Sequence, residues 1–512
     1  MLLQVSGAEA SWSAPRTLAA GCALVGGPQV AFPSEGPTLP TGRGAIVWAS
    51  EKARCESSAS GSPPTFAVTV AAIETGERPS AVSRRALEGV FTGELTAVGA
   101  DFGQLAIAAG AQGEIVSAGA GTEVLQGRAT RPLGSPAAVA AGLPSVLTRA
   151  YLGDVAVATV APGQIDVRVE RWDHRGFHPN RVVPVGAGPV TAIAVTMDYR
   201  SDLLLAWQQS GSIFARVLRA HGTDDPTQRL GPSEPEPQLQ AMLSDNNHGM
   251  VAWSSTSPAG SGGSAAPVTT TYIDISGTGV RFGGPQTVAT YSDPAEVGKS
   301  EGSLALVRLA DENVQMGWTT VEDGHYVVRS APAVYATSSL TTLLSNPDED
   351  AVLADLAAGP ANEAIALWTN GPRQAPSLQS VSSAPVESVP WESTTPPAAP
   401  AQPAQSELWE ARTSIVPRDH VVLQPPEMIA PAGPVADPTV AVDPRNDDAV
   451  AAWSLVGADP SVEYSVSAGA SGYRPHPPSS ERNVAITGGE WMRIALAAGA
   501  SAAEQALAAM NG

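Results

Sequence analysis

Lysine and cysteine are both rare in this chain of 512 residues. Lys52 and Lys299 are the only lysines, and the 50 acidic residues outnumber the 29 basic ones, which gives a formal net charge of −21. So large a negative charge repels phosphate groups, so neither nucleic acid nor an anionic membrane is an expected partner. The two cysteines, Cys22 and Cys55, are consistent with one disulfide or with two free thiols.

Long apolar runs are absent as well. No stretch approaches the ~20 apolar residues of a membrane-spanning helix. The start, MLLQVSG (1–7), has neither the basic residues nor the apolar length of a signal peptide. We therefore expect either a cytosolic protein or an exported one whose signal precedes this sequence, and of the two we favour an extracellular or cell-surface location.

Turn-forming residues are abundant instead, with 45 prolines and 50 glycines, which favours many short strands. A polar turn followed by a short apolar run that ends in tryptophan recurs along the chain. This signature occupies 42–48, 198–207, 245–253, 311–318, 362–368 and 443–453. Two copies without tryptophan end at Ala109 and Thr159, and a further match ends at Met510. Recurrence at about 50 residues is typical of repeat architectures.

Each repeat is predicted to contain four strands. An apolar run precedes the polar turn, and two strand-like runs follow the signature, as in IFARVL (213–218) after Trp207. Four-stranded antiparallel units of this length are typical of β-propeller blades. The signature run AVAAW (449–453) is apolar on both faces, as expected for a strand between stacked sheets. Its tryptophan is predicted to pack between blades.

The tail, SAAEQALAAMNG (501–512), is rich in helix formers but aligns with NEAIALWTNG (362–371). We predict that it supplies the first two strands of a blade whose other two strands lie near the N-terminus. Residues 1–19 and 490–512 would then share the closing blade, which removes exposed edges. Nine signatures favour a single propeller over 1–512 with nine blades. Seven or eight blades, or a piece of a longer array, are the alternatives.

The polar turn, the apolar run that ends in AW and the proline-containing strand in WSAPRTLA (12–19) resemble bacterial secreted β-propeller repeat proteins, which are distantly similar to sialidase-type propellers. The resemblance implies an all-β propeller fold. The sialidase Asp-box pattern S-x-D-x-G-x-T-W does not occur, so the resemblance assigns no catalytic residue.

Three long inserts follow the second strand of their repeats, at 49–64, 254–267 and 369–405. Connections between second and third strands emerge at one end of a propeller, so we expect a loop-rich binding face there. The longest insert contains the candidate ligand-binding residues Arg373, Trp391 and Glu392. The alternative is that these Ser/Gly/Pro-rich inserts are only tolerated linkers.

The sequence lacks the common motifs of catalytic and metal-binding sites. The sequence has no G-x-S-x-G, Walker, H-E-x-x-H or C-x-x-C pattern, so no catalytic residue, metal or cofactor is predicted. His174 and His178 have the spacing of a helical metal pair but lie on a predicted turn. The acidic turns 223–225, 346–350 and 443–448 are interpreted as capped turns rather than calcium loops.

The sequence is consistent with two functions. The first is a non-catalytic, exported and monomeric propeller that binds a protein or glycan partner. The second is a glycan-active hydrolase or lyase of sialidase-like architecture, which would need clustered arginines and paired acids near the central axis.

Overall fold

The structure is a computed structural model. It describes residues 12–20, 24–32, 43–51, 66–75, 80–88, 95–100, 104–109, 112–117, 131–132, 145–149, 154–170, 178–198, 200–233, 237–244, 248–254, 268–276, 279–289, 304–310, 312–323, 325–332, 341–360, 362–371, 406–416, 419–422, 426–443, 447–456 and 460–467. These residues form an all-β structure of eight antiparallel sheets, numbered 1 to 8 in chain order. They include no helix that is long and apolar enough to cross a membrane.

The chain begins with β1 (Arg16–Ala20), which belongs to sheet 8. Sheet 1 contains β2 (Leu24–Ala31), β3 (Arg43–Glu51), β4 (Phe66–Glu74) and β5 (Ser80–Glu88). Sheet 2 contains β6 (Leu95–Ala100), β7 (Gln104–Ala109), β8 (Gln112–Ser117) and β9 (Arg131–Pro132). Sheet 3 contains β10 (Ser145–Arg149), β11 (Val155–Ala161), β12 (Gln164–Glu170) and β13 (Arg181–Pro184). Sheet 4 contains β14 (Val190–Met197), β15 (Leu203–Gln209), β16 (Ser212–Leu218) and β17 (Gln228–Pro232).

Sheet 5 contains β18 (Leu239–Leu243), β19 (His248–Ser254), β20 (Val268–Ser276), β21 (Gly279–Phe282) and β22 (Gln286–Ala289). Sheet 6 contains β23 (Leu304–Arg308), β24 (Val314–Glu322), β25 (His325–Pro332) and β26 (Thr342–Leu343). Sheet 7 contains β27 (Ala351–Ala358), β28 (Glu363–Asn370), β29 (Ser406–Val416), β30 (Asp419–Val422) and β31 (Glu427–Gly433). Sheet 8 contains β32 (Val435–Val442), β33 (Ala449–Leu455) and β34 (Ser461–Ser467), followed by β1 at its edge.

Every signature within the described residues lies on the second strand of a sheet. The prediction is therefore confirmed for eight copies, including the two weak ones that end at Ala109 in β7 and Thr159 in β11. The strands continue beyond the signature, since β15 extends two residues past Trp207. The ninth match, at Met510, lies outside the described residues.

The signature tryptophans pack between neighbouring sheets, as predicted. All six are at most 3% exposed, and each joins its own sheet to the preceding one. Trp207 packs against residues of sheet 3, and Trp48 of sheet 1 packs against Val450, Ala452 and Tyr464 of sheet 8. Truncation of such a side chain to alanine costs about 3–5 kcal/mol. The small residues around them let the sheets approach closely.

The polar turn between first and second strands has a recurring geometry. In five sheets, the N–H of the residue after the first strand donates to a carbonyl at the start of the second strand; the donors are Asp198, Ser244, Leu309, Gly359 and Asp443. Four of these turns contain a non-glycine residue with a left-handed backbone, namely Ser201, Glu312, Asn362 and Asp447, with φ of 64°, 69°, 67° and 64°. Serine, asparagine and aspartate hydrogen-bond locally in turns, which explains the polar composition of this part of the signature.

The first strands of successive sheets lie side by side. Leu243 N on β18 donates to Thr196 Oγ1 on β14 at 3.3 Å. Between sheets 7 and 8, Asp355 on β27 accepts hydrogen bonds from Thr439 Oγ1 at 2.8 Å and from Val440 N at 2.9 Å. Burial raises the pKa of Asp355, although these donors lower it. Such bonds fix the register of one repeat against the next.

Sheets 8 and 1 also make a close contact. A Cβ added to Gly27 on β2 would lie 2.3 Å from Asp437 Cβ on β32. Both residues lie at irregular pairings of their strands. Glycine is therefore required where these two first strands meet, because any side chain would force them apart.

The N-terminal strand has a different partner from the predicted one. β1 pairs with β34, with Arg16 opposite Tyr464 and Ala20 opposite Ser461, so it is the fourth strand of sheet 8. The first and second places in that sheet are filled by β32 and β33, not by residues 490–512. The tail itself lies outside the described residues.

Candidate functional site

The three long inserts interrupt the same connection in three sheets. They join β3 to β4, β19 to β20, and β28 to β29, which are the second and third strands of sheets 1, 5 and 7. In sheet 4 the same connection is a tight turn of Ser210 and Gly211, with φ of 51° and 72°. A two-residue turn is therefore enough to join the second and third strands of a sheet, and the long inserts are not needed to form this connection.

Two tryptophans face each other at the root of the longest insert. Trp368 on β28 pairs across the strands with Trp409 on β29. Trp368 Nε1 donates to Asn370 Oδ1 at 3.0 Å, and Trp409 Nε1 donates to Glu407 Oε2 at 2.9 Å. Polar side chains thus satisfy both indole groups at the strand ends, which gives the insert a rigid base.

Asn370 also anchors the loop that enters its own sheet. Its Nδ2 donates to Glu349 Oε2 at 2.8 Å. Gln209 has the equivalent role in sheet 4, because its Nε2 donates to Gly186 O at 2.6 Å. Both amide side chains lie two residues after the signature tryptophan of their sheet, Trp207 or Trp368. A side-chain amide at this position therefore ties the loop between sheets to the second strand.

The acidic turn 346–350 lies beside this root and is capped as predicted. Asn346 Oδ1 accepts the Asp348 N–H at 3.2 Å. Asp350 Oδ1 accepts the Tyr326 N–H at 3.0 Å and lies 3.5 Å from His325 Nδ1. Residues 346–349 are exposed. This end of sheet 7 is therefore acidic and accessible around a fixed backbone.

The acids of the turn 223–225 are held by arginines. Arg181 Nη1 lies 2.8 Å from Asp224 Oδ1, and Arg219 Nε lies 2.7 Å from Asp225 Oδ2. Arg219 also reaches Asp202 Oδ2 at 3.2 Å. These ion pairs link sheets 3 and 4, which gives the acids a structural role.

The predicted site residues mostly fall outside the described part of the chain. Arg373, Trp391, Glu392, Cys22 and Cys55 all do, so these predictions stay predictions. His174 of the predicted histidine pair also lies outside the described residues. His178 is described, and its Nε2 lies 3.4 Å from Asp154 Oδ2. Across the described residues no group of three or more metal-ligating side chains converges.

The first strands bear on the enzyme alternative. Among the described first strands, β10 and β23 contain arginine, and it is the last residue in each, Arg149 and Arg308. Arg308 Nη1 lies 3.9 Å from Glu312 Oε2 in the adjoining turn. Three arginines beside paired acids are therefore not assembled by the described first strands.

A buried group of ionisable residues lies where sheet 7 meets sheet 8, and it was not predicted from the sequence. It consists of Glu363, Glu410 and Arg412 from sheet 7 and Asp447 from sheet 8, all at most 3% exposed. Arg412 Nη2 donates to Ser467 Oγ at 2.9 Å, and Arg412 Nη1 lies 4.0 Å from Asp447 Oδ2. We call this set the seam cluster.

The seam cluster has unusual acid strengths. Burial raises the pKa of Glu363 to about 9, and the neighbouring Asp447 raises it too, against a lowering effect of Arg412. Burial also raises the pKa of Glu410 to about 7, although Arg412 lowers it. The sequence contains one signal that could have pointed to Glu363. An acidic residue recurs five positions before the end of the signature, as Asp154, Asp202 and Glu363.

No protein-family model matches the chain, and no curated protein matches its sequence. Solved β-propeller structures align with part of the chain. The β-propeller domain of the Trilobed protease from Pyrococcus furiosus aligns with 71% of this chain and 90% of that chain, with a TM-score of 0.35 and 10% identity. The Dos1 propeller aligns with 70% and 93%, with a TM-score of 0.39 and 8% identity. The Cps50 (Swd1) β-propeller domain from Myceliophteria thermophila aligns with 63% and 95%, with a TM-score of 0.28 and 11% identity.

Proposed function

We propose that this protein is a non-catalytic, exported β-propeller scaffold that binds a protein or glycan partner through the end from which its three long inserts emerge. The observation that carries the proposal is that all three inserts occupy the same connection, between second and third strands, of sheets 1, 5 and 7. Function is commonly carried by loops on a rigid scaffold.

In this proposal the eight described sheets close into a ring of eight blades. The packing of Trp48 against sheet 8, the contact of Gly27 with Asp437 and the pairing of β1 with β34 support closure at the last seam. Equivalent connections would then lie at one end of the ring, because repeats related by rotation keep the same orientation.

The proposed binding residues are Arg373, Trp391 and Glu392 in the longest insert. Tryptophan and arginine dominate binding energies at interfaces. The rigid, acidic root formed by Glu349 and Glu407 would favour a partner with basic or neutral groups.

The test is a screen of the purified full chain on glycan and peptide arrays, together with a panel of fluorogenic glycosides. We expect array binding without hydrolysis. Replacing residues 372–405 with a linker of about four residues, enough to close a hairpin from Gly371 to Ser406, should abolish binding and leave the melting temperature unchanged. Trp391→Ala should weaken binding about tenfold or more.

The matched control is the same shortening of the insert in sheet 5, at residues 255–267, which should retain binding to the same probe. Hydrolysis of any glycoside by the full chain would contradict the non-catalytic proposal. Binding that survives the removal of residues 372–405 would contradict the assignment of the binding residues.

A further inference from the structure

We propose that the contact between sheets 7 and 8 is a pH-sensitive joint, closed by a proton that Glu363 and Asp447 share and loosened when that proton is lost. The proposal concerns the seam cluster and does not depend on the proposed binding function.

The two carboxyl groups meet over a glycine. Glu363 is the first residue of β28, and Asp447 lies in the turn between β32 and β33. A Cβ added to Gly359 would lie 1.8 Å from Glu363 Oε1 and 2.9 Å from Asp447 Oδ1. Glu363 and Asp447 are only 3% and 1% exposed. Two carboxyl oxygens are therefore placed together in a site with little access to water.

Hydrogen bonding in this site requires a proton. Glu363 Oε1 is buried and accepts no hydrogen bond from any described donor. Two ionised carboxylates can only accept hydrogen bonds, so neither can donate to the other, and their negative charges repel. If one of them is protonated, its hydroxyl donates to the other and satisfies both. The geometry thus favours a carboxylic acid paired with a carboxylate.

The charges around the pair lead to the same conclusion. The seam cluster contains three carboxyl groups, from Glu363, Glu410 and Asp447, and one guanidinium, from Arg412. Breaking the balance of charge in a buried site is strongly unfavourable. With two carboxyl groups protonated, the remaining carboxylate and Arg412 leave the cluster neutral.

Other acidic groups border the cluster and do not supply the missing positive charge. Asp443 and Asp448 lie on the same turn as Asp447, and Asp448 accepts a hydrogen bond from the Thr75 hydroxyl in sheet 1. Glu427 at the start of β31 accepts the Trp12 N–H at 3.3 Å. Among the described residues that are buried, Arg412 is the only lysine or arginine.

The direction of the pH effect follows from the proton count. The pKa of Glu363 is raised from 4.5 to about 9 in the folded protein, mainly by burial. Between these two pH values the folded chain keeps a proton that the unfolded chain releases. The contribution to stability is therefore fully present below pH 4.5 and is lost as the pH rises towards 9.

The test is urea unfolding of the full chain, followed by tryptophan fluorescence, at pH 5, 7 and 9. Glu363→Gln keeps a hydrogen-bond donor facing Asp447 at every pH. We expect the ratio of the wild-type to the variant folding constant to fall with rising pH, by up to about tenfold per pH unit. The control is Glu349→Gln, an exposed glutamate at the end of sheet 7, for which the ratio should stay constant.

A local readout separates the joint from a general effect. At pH 9, hydrogen exchange should be slower in Glu363→Gln than in wild type for peptides that cover 363–371 and 447–456, and unchanged for 203–218 in sheet 4. If Glu363→Gln does not fold, Asp447→Asn provides the same test, since asparagine tolerates a positive φ. A folding-constant ratio that is independent of pH, or exchange that is unchanged at both seam peptides, would overturn the proposal.

Discussion

Two equivalent seams of the molecule, between sheets 3 and 4 and between sheets 7 and 8, use the same backbone positions for opposite chemistry. Asp154 and Glu363 each lie five residues before the end of their signature. Each meets the left-handed residue in the turn of the following sheet, which is Ser201 in one case and Asp447 in the other, both with φ of 64°.

The side chain on that turn decides the character of the seam. Ser201 Oγ donates to Asp154 Oδ2 at 2.5 Å, so the acid is satisfied as a carboxylate. Asp447 offers Glu363 a carboxyl group instead of a hydroxyl donor. The comparison shows that the repeat determines which residues meet, whereas the identity of one side chain determines whether a proton is needed there.

The largest effect is expected from the cation of the more acidic seam. Arg412→Leu removes the only basic group of the seam cluster, so we expect a loss of about 3–5 kcal/mol at pH 8, as for other broken buried ion pairs. The loss of stability should be smaller at pH 5, because Glu363 and Glu410 are protonated there and fewer negative charges need Arg412. Urea unfolding at the two pH values measures it. Arg219→Leu, at a more exposed network, should cost less, and an equal cost would contradict this account.

A single substitution can give the seam between sheets 3 and 4 the paired carboxyl groups of the seam between sheets 7 and 8. Ser201→Asp places a carboxyl group against buried Asp154 and should lower stability by about 2–3 kcal/mol at pH 8, because two adjacent carboxylates repel each other when both are ionised. The deficit should narrow at pH 5. Thermal melting across this pH range provides the measurement. Ser201→Asn, which adds similar volume without charge, serves as the control and should show no such pH dependence.

The reverse conversion should stabilise the protein by a smaller amount. Asp447→Ser supplies Glu363 with the hydroxyl donor that Asp154 already has, so we expect a gain of about 1–2 kcal/mol at pH 8. At pH 4, where Glu363 and Glu410 are protonated, the variant leaves buried Arg412 without a carboxylate, so we expect a loss of stability instead. Differential scanning calorimetry at both pH values tests it. A variant that is destabilised at pH 8 would show that the carboxyl pair itself holds the turn.

The smallest effect is expected where sheets 8 and 1 meet. Thr75→Val removes the hydroxyl that donates to Asp448 and should cost about 1 kcal/mol, the ordinary contribution of one hydrogen bond. Thr17→Val, whose hydroxyl contacts Glu463 at an exposed position 3.5 Å away, is the matched control and should cost less in the same urea titration. Equal costs would mean that the Thr75 bond does not contribute to the seam.

Local patterns were sufficient to predict the second strands. The polar turn and apolar run located β7 and β11 even without tryptophan, because each strand pairs with the strand next to it in sequence. The same logic predicted that Trp253 and Trp453 pack between sheets, since a large aromatic on a strand apolar on both faces has no other place to go.

Long-range pairing could not be predicted in this way. The segment WSAPRTLA (12–19) was predicted to lie at the end of a repeat, and β1 is the fourth strand of sheet 8. Nothing local shows whether the first two strands of that sheet are β32 and β33 or lie in residues 490–512. Glu363 and Asp447 were both visible as polar turn residues. Their contact depends on how sheet 7 stacks on sheet 8, which is a property of the assembled repeats.

The position of β1 has a consequence for the order in which the protein is made. Arg16–Ala20 are synthesised hundreds of residues before their partner strand Ser461–Ser467. Contacts of such sequence separation form slowly. β1 must therefore wait unpaired until β34 has been made, and its docking completes the fourth strand of sheet 8.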